Sequence, residues 1–586
     1  MNMIATQNKQ YDVIIIGAGF SGLYQLYLLR KRLKLNCVVL EKGEGVGGTW
    51  YWNRYPGARC DTESHAYTYF FSDEIFKEWE WSERYPGHAE IRKYLNFVSD
   101  KFDLKKDIRF RSEVIKTTYK ENENKWLIET LDNHTFSAKF LITAVGCIST
   151  ANIPSIEGLG KFKGSYYHTG NWPKEDVTFE GKIVGQIGTG STGIQAVPVI
   201  AETAKHFTVF QRTPNYSVPA RNKPLTKEFK KYVRENFNEL RKTVKKTPNG
   251  HAFIISETLV HDVDENERLK RYENAWKKGG LQFRGTFKDI ISDLSANDTA
   301  SEFIKKKIKE IVKNREYANI LTNFDHPYAG KRPPIDTNYF ETYNRENVHL
   351  VDIRSDPIKY IDEKGIATEK NYFDLDIIVF ATGYDAMTGT LIKLNITGEN
   401  NLKLEDYWRD GPKTYLGLQI PSFPNLFTIT GPGSPSVLTN MPTAIEQHVE
   451  WVTDCIKYMI DHNYEKICTT DKKSNDDLGD HIEFLREKVG YKTDFIDANE
   501  TAKDIGTTLY EGAMRDNFAG CFNPLKYITS IAAICAEMGV EIYEETPALI
   551  LKKTASGKME ITTPKAIITA DKVIAAGDAY QGRLLP

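Results

Sequence analysis

Two glycine-rich turns, each placed directly after a short β-branched run, restrict this chain more than any other feature. The first lies in "YDVIIIGAGFSGLYQLYLLRKRLKLNCVVLEKGEGVGG", where Val13 to Ile16 reads as a buried strand and Gly17, Gly19 and Gly22 supply G-x-G-x-x-G as a helix begins. In such a turn the first glycine permits the bend, the second lets backbone approach a pyrophosphate, and the third lets the helix pack on the strand. The helix's N-terminal amides then face the phosphate. The next strand, "CVVLE", ends in Glu41, nineteen residues beyond Gly22, where a carboxylate accepts hydrogen bonds from a ribose. A glycine-rich turn alone often does nothing but turn. Strand, helix and acid in register predict a dinucleotide site.

The pattern recurs in "KIVGQIGTGSTGIQAVPVIA", with Gly188, Gly190 and Gly193 after a strand and Ser191 and Thr192 at the helix start. Its following strand, "HFTVFQRTP", ends in Gln211, Arg212 and Thr213 rather than in an acid. A carboxylate there would repel a 2′-phosphate, whereas a guanidinium binds one through two parallel hydrogen bonds, so the second nucleotide is expected to be NADPH. The alternative for Arg212 is a surface ion pair. Two more apolar strands, "FDLDIIVFATGYD" and "FPNLFTITGPGSP", run into small residues at Ala381, Thr382 and Gly383 and at Gly431 and Gly433, as a flavin domain requires where backbone nears the ring. The expected fold class is therefore α/β, with two Rossmann-like domains, one for FAD and one for NADPH. That pairing means redox chemistry.

The bulk numbers narrow the partners. The 586 residues suffice for three or four compact units, and 77 basic against 79 acidic residues leave a net charge of -2. No electrostatic footprint points to nucleic acid or an anionic membrane, so the expected partner is a small molecule. Seven scattered cysteines form no C-x-x-C pair, which argues against a metal site or a disulfide framework and for a reducing cytoplasm. The start lacks the pattern of a signal peptide, and no apolar run approaches the length of a membrane span.

Between the two turns lies "FKGSYYHTGNWP", and here the chain resembles the Baeyer–Villiger monooxygenases. Phe162, Gly164, His168, Trp172 and Pro173 match that family's fingerprint F-x-G-x-x-x-H-x-x-x-W-[P/D] at every defined position. A second fingerprint, [A/G]-G-x-W-x-x-x-x-[F/Y]-P-[G/M]-x-x-x-D, is met by Gly47, Gly48, Trp50, Tyr55, Pro56, Gly57 and Asp61. N- and S-oxygenating flavin monooxygenases share the glycine turns but usually lack Trp172 and the motif ending at Asp61. The resemblance runs over about residues 10–480. It implies an FAD- and NADPH-dependent enzyme that uses O2, through a peroxyflavin, to insert oxygen beside a ketone carbonyl. Gly48, Thr49, Trp50 and Asp61 are then implied on the FAD side, with Thr382 and Gly383 on the returning strand. Lys331 is implied to join Arg212 and Thr213 at the 2′-phosphate. Arg332 is the implied catalytic arginine with Asp61 as its carboxylate neighbour, and Ser436, Val437, Leu438 and Thr439 line the substrate pocket. The "FKGSYYHTGNWP" fingerprint is implied to be a hinge between domains. Arginine suits the role because it keeps its proton in a dry site where lysine can lose one.

The resemblance implies an FAD-binding domain in residues 1–150 and 381–482 and an NADPH-binding domain in 151–380. The charged, helical pattern at about 225–319 is read as an insertion with solvated lysine faces. The family's closing W-Y-x-G-x-N segment is absent. From about Arg486 the chain instead resembles an internal piece of a D-amino-acid-oxidase-type FAD oxidoreductase, so residues 483–586 are expected to form an atypical α+β segment. That replacement keeps three alternatives in view: heteroatom oxygenation at sulfur or nitrogen, uncoupled NADPH oxidation, and an impaired fusion that only binds FAD and NADP. No metal is expected.

Overall fold

A computed structural model describes residues 9–435, 438–470, 493–497, 512–516, 550–554, 558–562 and 567–570. The described residues fall into two units, one up to Thr469 and one from Thr470 onward.

In the first unit the Lys9–Ile16 strand lies between Cys37–Leu40 and Thr135–Thr143, all parallel, with Val13 opposite both Cys37 and Phe140. Ile108–Arg109 extends this sheet on one side, and Leu426–Thr428 adds to Thr135–Thr143 on the other. The antiparallel strands Val114–Lys120 and Lys125–Thr130, followed by Ile396–Thr397, bring the sheet to eight strands. Period-two geometry divides the apolar run of the first strand between two cores. Val13 and Ile15 pack with Leu23 and Leu26 of helix Phe20–Leu28 and with Val449, Val452 and Ile456 of helix Met441–Asp461. Ile14 and Ile16 pack on the other face with Trp126, Ile128 and Ile420. A parallel strand covered on both faces needs such an unbroken apolar run. Each of these side chains contributes roughly 1.5–3 kcal/mol by leaving water.

The second sheet has five parallel strands in the order Val348–Asp352, His206–Gln211, Ile183–Ile187, Ile377–Phe380, Ser165–His168. Val184, Val209 and Val379 face helix Ser191–Thr203 through Ile194, Val197 and Ile200, in a core that continues into Ala300, Ile304 and Ile308 of helix Leu294–Ile311. Ile187, Phe210, Ile378 and Phe380 face the other way, onto Phe162 and onto Ile361 and Ile366 of a small antiparallel sheet. The fold is thus α/β with two Rossmann-like sheets. Five helices between Lys227 and Thr322 form the expected helical part. The chain passes between the sheets twice, and the two passages are tied together: Asn152 N donates to Gly383 O at 3.0 Å and Thr382 Oγ1 to Asn152 O at 2.6 Å.

In the second unit Thr493–Asp497 pairs antiparallel with Gly512–Asp516, and Ile550–Lys553, Met559–Thr562 and Ile567–Ala570 form an antiparallel sheet. The rest of the expected segment 483–586, and substrate-pocket residues Ser436 and Val437, lie outside the described residues.

Glu446, on helix Met441–Asp461, is buried and accepts from Phe70 N at 2.5 Å and Phe71 N at 3.0 Å. Burial pushes its carboxyl from 4.5 up to about 7, against the pull of the amide donor Phe70. Asp336, buried against Ser217 Oγ, is likewise pushed by burial from 3.8 up to about 7. Between the ordinary and the raised value the unfolded chain has released a proton that the folded chain retains, so stability falls as pH rises. For Glu446 this loss amounts to on the order of 2–3 kcal/mol across pH 4.5 to 7. The melting temperature of Glu446→Gln, followed by calorimetry over that range, is expected to decline less steeply than that of the parent chain. Parallel curves would remove Glu446 as a source of the slope.

Candidate functional site

The two glycine turns are built alike at their first and third glycines. Gly17 and Gly188 have φ of +104° and +107°, and a Cβ on either would strike a carbonyl oxygen, that of Ala144 or of Ala381. A Cβ on Gly22 would strike Gly17 O, and one on Gly193 would strike Gly188 O. The first and third glycines are therefore required by the fold itself. The second glycine of each turn differs. A Cβ on Gly190 would meet nothing within 4 Å, and one on Gly19 would meet only Gly48 backbone, at 3.3 Å. These positions bare backbone to open space, as a phosphate cradle does.

The helix starts point the same way. Helices beginning at Lys227, Glu265, Leu294 and Arg315 are each capped by a side chain, from Thr226, Asp264, Asp293 and Asn314. Phe20–Leu28 and Ser191–Thr203 start at Gly19 and Gly190 with no side-chain cap, as do His88–Lys101, Phe237–Lys246 and Met441–Asp461, but the first two start on the glycine turns, which face a cavity. Their first amides keep their donors for something else.

Both turns open onto one cavity of about 930 Å³. This is the upper end of the roughly 300–1,000 Å³ seen for ligand sites and suits a dinucleotide-sized occupant. Gly17, Gly19, Gly48, Thr49 and Trp50 line it from the first sheet, and Gly190, Ser191, Thr192 and Gly383 from the second. Gly22, Gly188, Gly193 and Thr382 do not line it. Glu41 lines the cavity too, with Oε2 accepting from Ala18 N and Oε1 from Gly43 N, both at 2.7 Å. Burial raises its carboxyl above the ordinary value despite these amides. The acid thus first holds the turn in shape, and its remaining lone pairs are available to a ribose.

Asp61 and Arg332, 271 residues apart, meet in the same cavity. Arg332 Nε donates to Asp61 Oδ2 and Nη2 to Oδ1, both at 2.9 Å, a two-point pairing that fixes the guanidinium plane. Their side chains are 28 and 24% exposed, so the pair is reachable from the cavity. Burial works against both charges, but each partner outweighs it: the Asp61 carboxyl is held below its usual range and the Arg332 guanidinium above its own. His251 nearby is pushed down to about 3 by burial and by Arg284 and Arg332, so it is neutral at pH 7 and adds no second positive charge.

The second fingerprint, which ends at Asp61, docks on the second sheet's helix. Tyr55 OH donates to Gln195 Oε1 at 2.7 Å, Gln195 Nε2 to Arg59 O at 3.1 Å, and a Cβ on Gly57 (φ +80°) would strike Gln195 O. In the first fingerprint, Phe162 is buried against the second sheet, and a Cβ on Gly164 would collide with the Phe162 ring and Asp376 O. Trp172, followed by Pro173, is buried beside Tyr167 and Phe179. His168 accepts from Gly170 N at 2.9 Å, and its ring meets Tyr384 on the second passage edge-on at 6.1 Å. Tyr384 OH reaches across to Asn53 Oδ1 at 2.6 Å. This fingerprint therefore touches the chain where it crosses between the sheets.

Arg212, Thr213 and Lys331 do not line the cavity. Thr213 Oγ1 and Lys331 Nζ instead converge on Asp325, at 3.4 and 3.5 Å, while Arg212 is exposed without a partner among the described residues. Thr439 lines the cavity, whereas Leu438 is exposed. Sequence reasoning passed over Thr430 and Tyr384, which also line it. Thr430 has φ +57°, donates its N–H to His448 Nδ1 at 3.1 Å, and has a buried hydroxyl without a partner among the described residues. Backbone strain of this kind collects at ligand sites. The available signals were the strand ends themselves, "TITG" and "ATGY", in which the glycines drew the attention.

The division among the glycines is testable. Gly190→Ala is expected to keep the parent melting temperature within about 1–2 °C while weakening nicotinamide dinucleotide binding by about tenfold or more. Gly188→Ala, strained and clashing, is expected to lower the melting temperature by several degrees. Thermal melting and dinucleotide titration separate the two; equal effects on both measurements would sink the distinction.

A model of the flavin-binding monooxygenase-like family matches residues 10–224, and a model of FAD dependent oxidoreductases matches residues 449–586. The second match begins earlier than Arg486, on the helix Met441–Asp461 that packs on Phe20–Leu28. The chain is 43% identical to the cyclohexanone 1,2-monooxygenase of an Acinetobacter species over 79% of its own length and 85% of that protein. It is 41% identical to a Baeyer–Villiger monooxygenase of Pseudooceanicola batsensis over 79% of its length and 84% of that protein. Among solved structures, one of OTEMO in complex with FAD and NADP superposes with a TM-score of 0.76 at 41% identity, over 78% of this chain and 88% of that one. With the paired glycine turns, both fingerprints and this identity across most of its length, the chain belongs to the Baeyer–Villiger monooxygenase family of flavin-dependent enzymes.

Proposed function

We propose that this chain converts a ketone, O2, NADPH and a proton into an ester or lactone, NADP⁺ and water, with FAD as its bound cofactor. The observation that carries the proposal is the two-point Asp61–Arg332 pair standing in one cavity with the openings of both glycine turns. Gly17, Gly19, Gly48, Thr49, Trp50 and Glu41 would hold FAD, with Thr382 and Gly383 on the returning strand. Gly190, Ser191 and Thr192 would hold the NADPH pyrophosphate, and Arg212, Thr213 and Lys331 its 2′-phosphate. Residues 1–150 and 381–482 then serve FAD, 151–380 serve NADPH, and 483–586 form the oxidase-like addition. Bound flavin supplies the redox chemistry, taking electrons from the nicotinamide and delivering them to O2.

The chain's own contribution is electrostatic and steric. Arg332 keeps its proton and is aimed by Asp61, so it stabilises the negative charge that develops on the ketone oxygen, where water is scarce and such a donor counts for more. Oxidation at sulfur or nitrogen develops no such alkoxide, which is why this pair favours a ketone. Trp50, Tyr67 and Ile445 line the same cavity and limit the access of water. Ser436, Val437, Leu438 and Thr439 would border the ketone. His168 and Trp172 would link the two passages to the second sheet and so act as a hinge. Cys37, Cys60, Cys455 and Cys468 form no disulfide among the described residues, which supports a cytoplasmic setting.

The test is to load the purified chain with FAD, add NADPH in air with phenylacetone or cyclohexanone, and follow NADPH, hydrogen peroxide and ester together. Ester equal to the NADPH consumed is expected. Peroxide without ester would replace the proposal with uncoupled oxidation, and product only from an amine or sulfide would replace it with heteroatom oxygenation. Arg332→Lys keeps a charge opposite Asp61 but loses the fork, and is expected to lower ester formation about 10²–10³-fold with FAD still bound. An unchanged rate would remove Arg332 from the chemistry.

A further inference from the structure

The turn from Phe324 to Lys331 carries an anion that the oxygenation chemistry does not use. Asp325 Oδ2 accepts from Thr213 Oγ1 at 3.4 Å, and its Oδ1 lies 3.5 Å from Lys331 Nζ and 2.6 Å from His326 Nδ1. The carboxylate therefore stands between two of the three groups proposed above for the 2′-phosphate. Its hydrogen bond to His326, helped by Lys331, keeps its pKa at about 2, so it is charged at any working pH. The brace behind it is firm. The His326 side chain is only 10% exposed, lies edge-on to Tyr216 at 5.6 Å, and has Nε2 3.4 Å from Asn215 Oδ1.

A carboxylate in this position affects the two nicotinamide dinucleotides in opposite ways. A 2′-phosphate, carrying up to two negative charges, must take Thr213 and Lys331 from Asp325 and then lie beside it. A 2′-hydroxyl carries no charge and donates a hydrogen bond to a carboxylate, the arrangement that acids adopt at the end of the second strand in NAD-binding turns. Here the acid reaches the site from a remote turn, 112 residues from Thr213, while the strand end keeps its arginine. We propose that Asp325 is an internal anion that competes with the 2′-phosphate for Thr213 and Lys331, and so holds the preference for NADPH over NADH below what the site's cations alone would confer. The proposal rests on the 2′-phosphate assignment of Arg212, Thr213 and Lys331.

The probes are 2′,5′-ADP and 5′-AMP, which differ only in the 2′-phosphate, titrated calorimetrically into the FAD-loaded full-length chain. In Asp325→Asn the Kd for 2′,5′-ADP is expected to fall about tenfold while that for 5′-AMP stays the same or rises. An unchanged or higher Kd for 2′,5′-ADP would overturn the proposal and make Asp325 a group that merely positions Lys331. Asp325→Ala gives a second determination of the same quantity if the asparagine variant fails to retain FAD. Lys331→Ala tests the underlying assignment separately. It is expected to weaken 2′,5′-ADP far more than 5′-AMP. Equal weakening would remove the 2′-phosphate assignment and the proposal with it, whereas the expected Lys331 result beside a silent Asp325→Asn would remove the proposal alone.

Discussion

An arginine in a cavity wide enough for a dinucleotide keeps its place only if a carboxylate faces it, and Asp61 does so through two 2.9 Å hydrogen bonds. Each partner holds the other charged against burial. Either one alone would be a desolvated ion, at a cost of several kcal/mol. The two are brought together by long detours. Asp61 ends a loop that leaves the first sheet and docks on Gln195 of the second sheet's helix, and Arg332 follows the helices that share the second sheet's core. The pair thus exists only where the loop of one sheet and the turn of the other are both in place.

The duplicated glycine turn shows how one local solution serves two sheets. Its first and third glycines are consumed by backbone contacts, Gly17 on Ala144 and Gly188 on Ala381, and Gly22 and Gly193 on the turns themselves. Only the middle glycine is left for a ligand. The absence of side-chain caps on the two helices that follow fits this division, since Ser, Thr, Asp or Asn at Gly19 or Gly190 would occupy the amides that an anion needs. Around Arg332 a second guanidinium, Arg284, also acts on the site, while His251 beside it is held neutral by burial and by these two cations.

The parts of the site legible in the sequence are those whose chemistry depends on neighbours in the chain. The glycine spacing, the strand before it and Glu41 after it are enough to predict the turn, because backbone sterics act over a few residues. Both fingerprints were legible as patterns of residue types. Why Gly57 and Gly164 must be glycine was not: one answers to Gln195 O and the other to the Phe162 ring and Asp376 O. Thr430 and Tyr384 were hidden because each sits beside a glycine that explained the motif without it. Asp325 was hidden for a different reason. An acid in "NFDHPYAGK" carries no sign of function until the turn brings it against Thr213, 112 positions earlier.

The amino-acid sequence by itself determined two Rossmann-like domains with a glycine turn after a strand in each, an acid after one turn and an arginine after the other, and a resemblance to a family that implied Arg332 and Asp61. The domains and turns follow from unbroken apolar runs and glycine spacing, which act locally, and the Arg332 and Asp61 roles from the family resemblance. The tertiary structure alone decided that both turns open into a single cavity, that Asp61 and Arg332 meet there plane to plane, that the fingerprint presses on the two chain passages, and that a carboxylate stands among the groups proposed for the 2′-phosphate. Each of these is a contact between segments far apart in the chain, and only the packing of the two sheets and their helices sets such distances.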